Sequence, residues 1–373
     1  MFLANRSHNI YIVIFILQFI YCNFYTAMKN ASKKKYLGVA ATAIAAAAAV
    51  VGLTTCFGGV NNDDTFRLYL DDDDNVDSLQ RKIEVHAHPN ALAFKVNASI
   101  FGLNEHIRPG HYIVGENTSV MKLLHRIRNH NEDPVRLVVP SVRTIDEMAE
   151  KLSAQLMTSP AAILAMLSDS AKIASLGYTK ETLPCLFIPN TYEVYWDIEP
   201  TQLIERLQKE NKAFWNEQRL AKLSEVSAYA GEDMTKEKVV TLASIVDSET
   251  ANNAEKPNIA ALYMNRMKIG MPLQSDPTVK FALQDFSLRR IMHKHLNVES
   301  PYNTYRNQGL PPGPICVPSI AGIDAVLNHS KNDYIYMCAK EDFSGTHNFA
   351  VSYAEHQANA ARYTKALNER NIH

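Results

Sequence analysis

The sequence predicts an α+β protein made of an N-terminal transmembrane helix, a small α+β module and a larger mixed α/β domain. Three observations lead to this prediction. The apolar stretch Leu37–Val60 has about the 20 residues that cross a bilayer core. Short strand-like runs alternate with amphipathic helices over residues 81–140. Longer helical patterns, broken by turn-rich segments, occupy residues 141–373, and this extramembrane part is long enough for two modules with a real core.

The second of two apolar N-terminal stretches is the stronger candidate for the membrane span. The first, Ile10–Tyr25, is rich in Ile and Phe, whereas Leu37–Val60 follows the basic run Lys33–Lys35. A basic flank stays in the cytoplasm. Residues 1–36 are therefore predicted to be a cytoplasmic tail, with Met28 as the expected true start, and the remainder is predicted to be extracytoplasmic. The alternative is a hairpin of two spans, which would return the bulk of the chain to the side of the N-terminus.

The composition gives no support for a nucleic-acid partner, a metal or an organic cofactor. Lys and Arg total 38 against 39 Asp and Glu, so there is no basic excess to bind a polyanion. The 13 histidines are scattered, and the 5 cysteines lack the CxxC spacing of a zinc site. Cys185, Cys316 and Cys338 are interpreted as buried apolar residues.

Residues 61–80 are predicted to be a solvated linker. They include the acidic run Asp71–Asp74. A calcium-binding loop would need alternating ligands and a turn glycine, and this run has neither.

The small module, residues 81–140, contains one clear helix between two strands. Thr118 is available as the N-cap of the helix. Strands are expected at His111–Gly115 and Val135–Val139. Apolar residues follow the i, i+3, i+4, i+7 pattern of a helix at Val120, Leu123, Leu124 and Ile127.

The larger domain begins with a helix at Thr144, where Glu147 completes a capping box. Helical patterns continue to Leu223, apart from the turn-rich stretch Pro184–Pro200. The aromatic residues of that stretch either line a sugar-binding groove or form a buried cluster, and their spacing does not decide between the two. They are Phe187, Tyr192, Tyr195 and Trp196.

A helix that begins near Thr235 carries the candidate catalytic carboxyl. Its apolar residues lie on one face at helical spacing: Val239, Leu242, Ala243 and Val246. Glu249 falls at one edge of this stripe, and Asp247 falls on the opposite flank, further from its centre. A carboxyl held against an apolar face has a raised pKa, which suits it to donate and recover a proton. An acid in such a position is more often salt-bridged, so the geometry favours Glu249 over Asp247 without assigning catalysis.

Three stiff polar loops follow this helix. After the helix Asn253–Lys268, which Gly270 can end, come Met271–Thr278, Ser300–Arg306 and Gly309–Pro318. They are rich in proline, side-chain amides and hydroxyls. Such loops suit a site that must hold a polar polymer in place.

Four segments together resemble the endolytic murein transglycosylase G family, also called YceG-like. They are ASIVDSET at Ala243–Thr250, YMNRMKIGMPLQSDPTV at Tyr263–Val279, SPYNTYRNQGLPPGPI at Ser300–Ile315 and GTHNFAVSYAEHQ at Gly345–Gln357. Their order and spacing also match. The resemblance covers nearly the whole extramembrane chain. It implies a LysM-like fold for residues 81–140 and a transglycosylase catalytic domain for residues 141–373.

The resemblance also implies roles for single residues. The family's catalytic glutamate corresponds to Glu249, and its first acid of the same segment, usually Glu, is Asp247 here. Asn190 replaces the usual Asp of a mid-chain motif. From the residues themselves, Asp276 is either a second carboxylate or a turn-stabilising residue, and His347 and His356 either orient the site or are structural. Asp276 and His347 also count among the candidate substrate contacts. Candidate substrate contacts by motif and polar chemistry are Gln274, Tyr302, Asn303 and Tyr305.

The resemblance implies cleavage between N-acetylmuramic acid and N-acetylglucosamine without water. One carboxyl suffices, and the products carry 1,6-anhydromuramoyl ends. The implied setting is nascent peptidoglycan at the cell inner membrane, with the catalytic domain in the periplasm near membrane-bound synthases, so that cleavage ends strand growth. Two alternatives stay open: a hydrolytic muramidase, which needs two carboxylates, and a non-catalytic glycan-binding anchor for wall synthases.

Overall fold

A computed structural model describes residues 42–47, 49, 52, 58–103, 107–116, 118–288 and 290–370. The predicted cytoplasmic tail and most of the predicted span Leu37–Val60 lie outside these residues. Among the residues that are described, no helix has both the length and the apolar character needed to cross a membrane. The chain divides into two compact units, Met1–Val135 and Arg136–His373.

In residues 58–135 of the first unit, as far as the structure describes them, three helices and a two-stranded antiparallel sheet pack around one core. Phe66 pairs with Val114 and Leu70 pairs with Gly110 across the sheet. Buried side chains from strands and helices, such as Leu70, Phe94 and Leu124, form one cluster. The LysM-like fold stays a prediction for this unit. Its elements are β1 (Phe66–Leu70), α1 (Val76–Glu84), α2 (Ala91–Ile100), β2 (Gly110–Val114) and α3 (Val120–Arg128).

The stretch expected to be a linker, residues 61–80, contains β1 and the start of α1. Alternate residues of β1 point into the core, with Leu68 2% and Leu70 0% exposed. The acidic run that suggests a linker forms the turn after β1, where Lys82 pairs with Asp71 at 2.8 Å and with Asp74 at 2.5 Å. Buried residues alternate with more exposed ones along β1, as expected for a strand with one face on the core. The acidic run directly after β1 makes this short pattern hard to recognise in the sequence.

The N-cap of α3 is Ser119, one residue after the predicted Thr118. The Ser119 hydroxyl accepts from the backbone N–H of Lys122 at 3.2 Å, as an N-cap does. The Thr118 hydroxyl instead donates to the carbonyl oxygen of Gly115 at 2.7 Å. It therefore stabilises the turn that leads into the helix.

From β3 onward the chain is mainly helical, with two small sheets, and the predicted α+β class is confirmed. β3 (Val135–Val139) pairs with β4 (Asn190–Val194), and β5 (Tyr336–Ala339) pairs antiparallel with β6 (His347–Ala350). The helices are α4 (Ile145–Ser153), α5 (Pro160–Ser168), α6 (Ser170–Ser175), α7 (Pro200–Phe214), α8 (Glu217–Ala230), α9 (Lys236–Glu249), α10 (Lys256–Lys268), α11 (Asp276–Leu283), α12 (Ile320–Leu327) and α13 (Tyr353–Glu369).

Helix α9 lies inside the core of the second unit. Every residue from Val239 to Val246 is buried, and the surrounding cluster includes Tyr263 of α10 and Ile323 of α12. The predicted single apolar stripe therefore understates its burial. The reason lies in Thr241 and Ser244, whose polar character hides part of the buried surface in the sequence. Their hydroxyls donate to carbonyl oxygens of the same helix, so both can be buried without loss of a hydrogen bond.

Of two helix starts near the site, one is predicted correctly and the other lies in a stretch predicted to be a loop. Thr235 is the N-cap of α9, as predicted, and accepts from the backbone N–H of Lys238. The stretch ending in Thr278 was expected to be a loop throughout, but Asp276 and Pro277 form the first turn of α11. Proline is well tolerated there, because the first-turn N–H groups have no intrahelical acceptor.

The three cysteines of the second unit are free thiols. Cys185 is buried, as predicted, and burial raises the pKa of its thiol. Cys316 and Cys338 are partly exposed, so the prediction of full burial is wrong for them. Cys22 and Cys56 lie outside the described residues.

Candidate active site

The carboxyl of Glu249, the last residue of α9, receives two hydroxyl hydrogen bonds on one oxygen. Tyr263 donates to Oε1 at 2.8 Å, and Ser275 donates to the same oxygen at 2.5 Å. No described residue bonds Oε2, and Oε2 is not among the buried polar atoms without a partner. One oxygen is thus fixed by the protein, and the other is open to a ligand.

The surroundings of Glu249 favour its protonated form. Burial raises the pKa of this carboxyl, and the negative charge of Asp276 raises it further. The hydrogen bonds from Ser275 and Tyr263 act in the opposite direction, as a protonated His347 ring would, but the pKa stays above its ordinary value. Glu249 therefore holds its proton to a higher pH than a solvated glutamate does, as a general acid requires.

Tyr263 reaches Glu249 because α10 packs against α9. Tyr263 is 1% exposed. Burial and the nearby Glu249 raise the pKa of the phenol well above its ordinary value. The hydroxyl therefore remains protonated and acts as a fixed donor to Oε1.

Ser275 is held by a buried hydroxyl network that joins two of the predicted polar loops. Its backbone N–H donates to the Thr304 hydroxyl at 3.0 Å, and the hydroxyls of Thr278 and Thr304 lie 2.8 Å apart. Ser275 stands at the N-cap of α11, but its hydroxyl makes no capping bond. It points to Glu249 instead, so a group that would ordinarily stabilise a helix end serves the carboxyl.

Asp247 belongs to a different cluster. It pairs with Lys256 at 2.8 Å, and its other oxygen accepts from the backbone N–H of Ser319 at 2.5 Å. Ser319 is the N-cap of α12, and Gly322 lies directly beneath the carboxyl, where an added Cβ would meet Oδ1 at 2.3 Å. Asp247 thus ties three helices together.

Of the predicted substrate contacts, Gln274 is exposed and Tyr305 is half-buried, and each adjoins a residue that acts on Glu249, Ser275 and Asp276 respectively. Gln274 is exposed with a positive φ of 52°, and its backbone N–H donates to Thr304 at 3.1 Å. The Tyr305 hydroxyl donates to Asp276 at 2.6 Å. Asp276 is exposed at the first position of α11, so it is a surface carboxylate beside the site and not part of an irregular turn.

Tyr302 and Asn303 are oriented towards the protein. The Tyr302 ring packs against Phe281 with centroids 4.7 Å apart, and burial raises the pKa of its phenol to about 12. Asn303 is 0% exposed, and its amide donates to the carbonyl oxygens of Leu296 and Val298 at 2.9 Å each. The loop itself uses the side chain of Asn303, so this residue has an architectural role.

His347 begins β6 and is bound by Glu255. Its backbone N–H donates to Oε1 of Glu255 at 2.8 Å, and its ring Nδ1 lies 3.1 Å from Oε2. Glu255 is 8% exposed and precedes α10, the helix that carries Tyr263. A single helix therefore brings residues to both Glu249 and His347.

The aromatic stretch around β4 is mainly structural. Phe187 is 1% and Tyr192 is 7% exposed, which supports the buried-cluster interpretation for these two, whereas Tyr195 is 54% exposed. Asn190 starts β4 and is exposed. Its side chain accepts from the adjacent backbone N–H of Thr191 at 2.8 Å.

Sequence reasoning missed Tyr263, Ser275 and Glu255. Tyr263 and Ser275 both occur in a segment that carries the family resemblance, but no periodicity links them to Glu249. For Ser275 a signal did exist: a serine before Asp-Pro at a helix start predicts an N-cap. Only the folded structure shows that the Ser275 hydroxyl donates to Glu249 and does not cap the helix.

The YceG-like family matches residues 68–362. An endolytic murein transglycosylase of Bacillus subtilis is 38% identical over 133 residues, which are 36% of this chain and 36% of that protein. One of Streptococcus pneumoniae is 27% identical over 291 residues, 70% of this chain and 51% of that protein. The chain thus spans about half, or less, of the length of these curated relatives.

Among solved structures, a YceG-like protein from Listeria monocytogenes resembles this chain with a TM-score of 0.54 at 24% identity. The match covers 79% of this chain and 98% of that chain. At this identity the likeness concerns the fold.

Proposed function

The chain belongs to the YceG-like family, and from this premise we propose that it is an endolytic lytic transglycosylase of peptidoglycan. It cleaves nascent glycan strands between N-acetylmuramic acid and N-acetylglucosamine, leaves 1,6-anhydromuramoyl ends and so ends strand elongation. Relatives from two organisms carry the name endolytic murein transglycosylase, which supports the proposal.

The observation that carries the proposal is the asymmetric carboxyl of Glu249. Two hydroxyl donors fix Oε1, and burial raises the pKa of the group. Because Oε1 is engaged, Oε2 is the oxygen that exchanges a proton with a substrate. A single carboxyl of this kind meets the requirement of a reaction that uses no water.

In the proposed reaction, Oε2 of protonated Glu249 donates its proton to the glycosidic oxygen as the bond to C1 of the muramoyl residue breaks. The carboxylate then takes the proton of the muramoyl 6-hydroxyl, and that oxygen bonds to C1. Glu249 ends as it began, so the proton count balances. General acid–base help of this kind contributes ~10²–10⁴-fold, and the rest of the rate comes from holding the 6-hydroxyl over C1.

A hydrolytic muramidase is the second candidate, and Asp276 is the observation that favours it. This exposed carboxylate lies close enough to Glu249 to raise the pKa of Glu249. Glycoside hydrolases use two such carboxyls on either side of the bond. Tyr305 holds Asp276 through a hydrogen bond, which restricts the carboxylate but leaves it at the surface.

The two reactions give different ends. Uncrosslinked glycan is digested with purified protein, treated with borohydride and weighed by mass spectrometry, with Glu249→Gln as the matched inactive control. Anhydro ends resist borohydride and lack the mass of one water. New ends that take up hydride would identify a hydrolase, and no new ends from protein that is folded and matched in concentration would leave only a glycan-binding role.

The proposed setting is the cell inner membrane, crossed once by Leu37–Val60, with the catalytic part in the periplasm near peptidoglycan synthases. The basic run Lys33–Lys35 before one long apolar stretch supports this orientation. Protease added to spheroplasts is expected to digest the C-terminal region. Full protection of that region in intact spheroplasts, with digestion after lysis, would contradict the topology.

A further inference from the structure

Glu255 and His347 form a second, shielded pair in the catalytic unit. Glu255 accepts from the backbone N–H of His347 at 2.8 Å and contacts ring Nδ1 at 3.1 Å. The two side chains are only 17% and 11% exposed, for His347 and Glu255 respectively. Both the main chain and the ring of His347 are therefore fixed by one carboxyl.

This contact sets the tautomer of the ring. A carboxylate only accepts hydrogen bonds, so Nδ1 carries the hydrogen, and in the neutral imidazole Nε2 has the free lone pair. No described residue bonds Nε2, and this atom is not among the buried polar atoms without a partner. A carboxylate that orients a histidine in this way is a common means of presenting the far nitrogen to a ligand.

The pair belongs to the same unit as Glu249 and is linked to it through helix α10. A charge on His347 acts directly on the Glu249 carboxyl, so the ring is within electrostatic reach of it. Glu255 precedes α10, and Tyr263, which binds Glu249, lies on the same helix. The catalytic carboxyl and the His347 ring are thus positioned by one rigid element.

We propose that Nε2 of His347 accepts a hydrogen bond from the muramoyl 6-hydroxyl of the glycan. Glu255 positions the His347 ring for this contact. The inference rests on the proposed transglycosylase function. While Oε2 of Glu249 is protonated and donates to the leaving oxygen, it is a weaker acceptor than an imidazole nitrogen for the 6-hydroxyl. Nε2 supplies the stronger acceptor and turns the hydroxyl oxygen towards C1. The hydroxyl proton still passes to Glu249 once the glycosidic bond is broken.

Two amide substitutions separate a ligand contact from a structural role. The amide of His347→Gln reaches about as far as Nε2 and can present an oxygen there, whereas the amide of His347→Asn ends near Nδ1 and can keep only the bond to Glu255. We expect Gln to retain at least about tenfold more kcat than Asn, the value of one net hydrogen bond. If Asn equals or exceeds Gln, the ring serves the fold alone and the proposal is overturned.

Glu255→Gln provides the complementary test. Its amide oxygen can accept from the backbone N–H of His347, so its NH₂ faces Nδ1, and the ring must carry its hydrogen on Nε2. We expect kcat to fall to the level of His347→Asn while the thermal midpoint changes little. Wild-type kcat in a folded Glu255→Gln protein would contradict the inference.

The products of the wild-type protein distinguish a failure of the proposed function from a failure of the proposed role of His347. If it leaves no anhydro ends, the proposed function fails whatever the variants do. If it leaves anhydro ends while the Asn and Gln variants are equal, only the role of His347 fails.

Discussion

At the scale of single residues, Glu249 combines a fixed oxygen with a free one. A solvated glutamate has neither the raised pKa nor the fixed geometry. A buried glutamate whose two carboxyl oxygens are both hydrogen-bonded by the protein has no oxygen left for a substrate. Tyr263 and Ser275 create this state from two different elements. The site is thus defined by the donors as much as by the acid.

Glu249→Gln is expected to remove cleavage and to stabilise the protein at neutral and higher pH. The folded-state pKa of Glu249 is raised, so the stability due to its neutral form is complete below the unfolded pKa and declines as pH rises through the folded pKa. Glutamine accepts the same hydrogen bonds without ionising. Thermal midpoints of the two proteins should coincide at low pH and diverge as pH rises; parallel curves would show that Glu249 is not desolvated.

The donors to Glu249 are expected to control the falling limb of the pH–rate profile. Ser275→Ala and Tyr263→Phe each remove a bond that lowers the pKa of Glu249. The acid then stays protonated to higher pH, and the limb should move upward in pH, with a loss of rate on the order of tenfold. Asp276→Asn removes a charge that raises this pKa, so its limb should move downward.

Ser248→Ala is the matched control for this series, because the Ser248 hydroxyl donates to the carbonyl oxygen of Ser244 and not to Glu249. Its profile should overlay that of the wild type. If the limbs of Ser275→Ala and Asp276→Asn move in the same direction, Glu249 is not the titrating acid.

The sequence points to Glu249 but not to the residues that bind its carboxyl. Helical spacing alone places Glu249 at the edge of an apolar face, because neighbours within one helix follow from periodicity. Tyr263 and Ser275 meet it through the packing of α10 and of the loop before α11, and no local pattern encodes such a meeting. Asn303 shows the converse, since a polar residue in a motif loop is used inside the loop.

At the scale of elements, α9, α10 and α12 are joined at one buried point. Asp247 of α9 pairs with Lys256 of α10 and accepts from Ser319 before α12. The side chains of Asp247 and Lys256 are 13% and 7% exposed. This junction is close in sequence to Glu249, so it sets the position of the end of α9.

Asp247→Asn is therefore expected to act on stability first. Removing one member of a buried pair leaves the other charge uncompensated, at a cost of about 3–5 kcal/mol of unfolding free energy. The chemistry at Glu249 should persist in the folded fraction. Denaturant unfolding and single-turnover cleavage measure the two effects separately, and a stable but inactive Asp247→Asn protein would place Asp247 in the catalytic machinery.

Gly322→Ala tests the same junction from the other side. In an open helix this change would stabilise by roughly 0.5–1 kcal/mol. Here the new Cβ would lie 2.3 Å from Oδ1 of Asp247, so we expect destabilisation of about 1–3 kcal/mol. In an Asp247→Ala background the penalty should vanish, and a penalty that persists there would show that the clash is not with Asp247.

Elements were predictable where one signal dominated. Val135–Val139 was predicted as the strand that forms β3, and Thr235 was placed correctly at the start of α9. The sequence does not predict β1, because the acidic run after it resembles a linker, and it does not predict the start of α11, because its proline is also typical of a loop. Acidic residues are common both in linkers and in turns after strands, and proline is common both in loops and in the first turn of a helix. In each case the packing of the folded chain decides between the two.

At the scale of the whole molecule, each compact unit has its own core among the described residues. The first cluster draws its members from Val60 to Ile127, and the second from Cys185 to Leu327. Glu249, its two donors and the Glu255–His347 pair all belong to the second unit. The proposed site and the core that surrounds it therefore lie within one unit.

A protein beginning at Pro134 is accordingly expected to fold alone and to leave anhydro ends on soluble glycan. It keeps all of β3, and with it the pairing to β4. If the first unit binds glycan, as its proposed LysM-like character implies, its loss removes affinity that is equal in the ground and transition states. KM for long strands should then rise while kcat stays unchanged. Steady-state assays of this protein beside the full chain, each with its Glu249→Gln control, measure both constants. A large fall in kcat with the fold intact would mean that the first unit contributes to the chemical step.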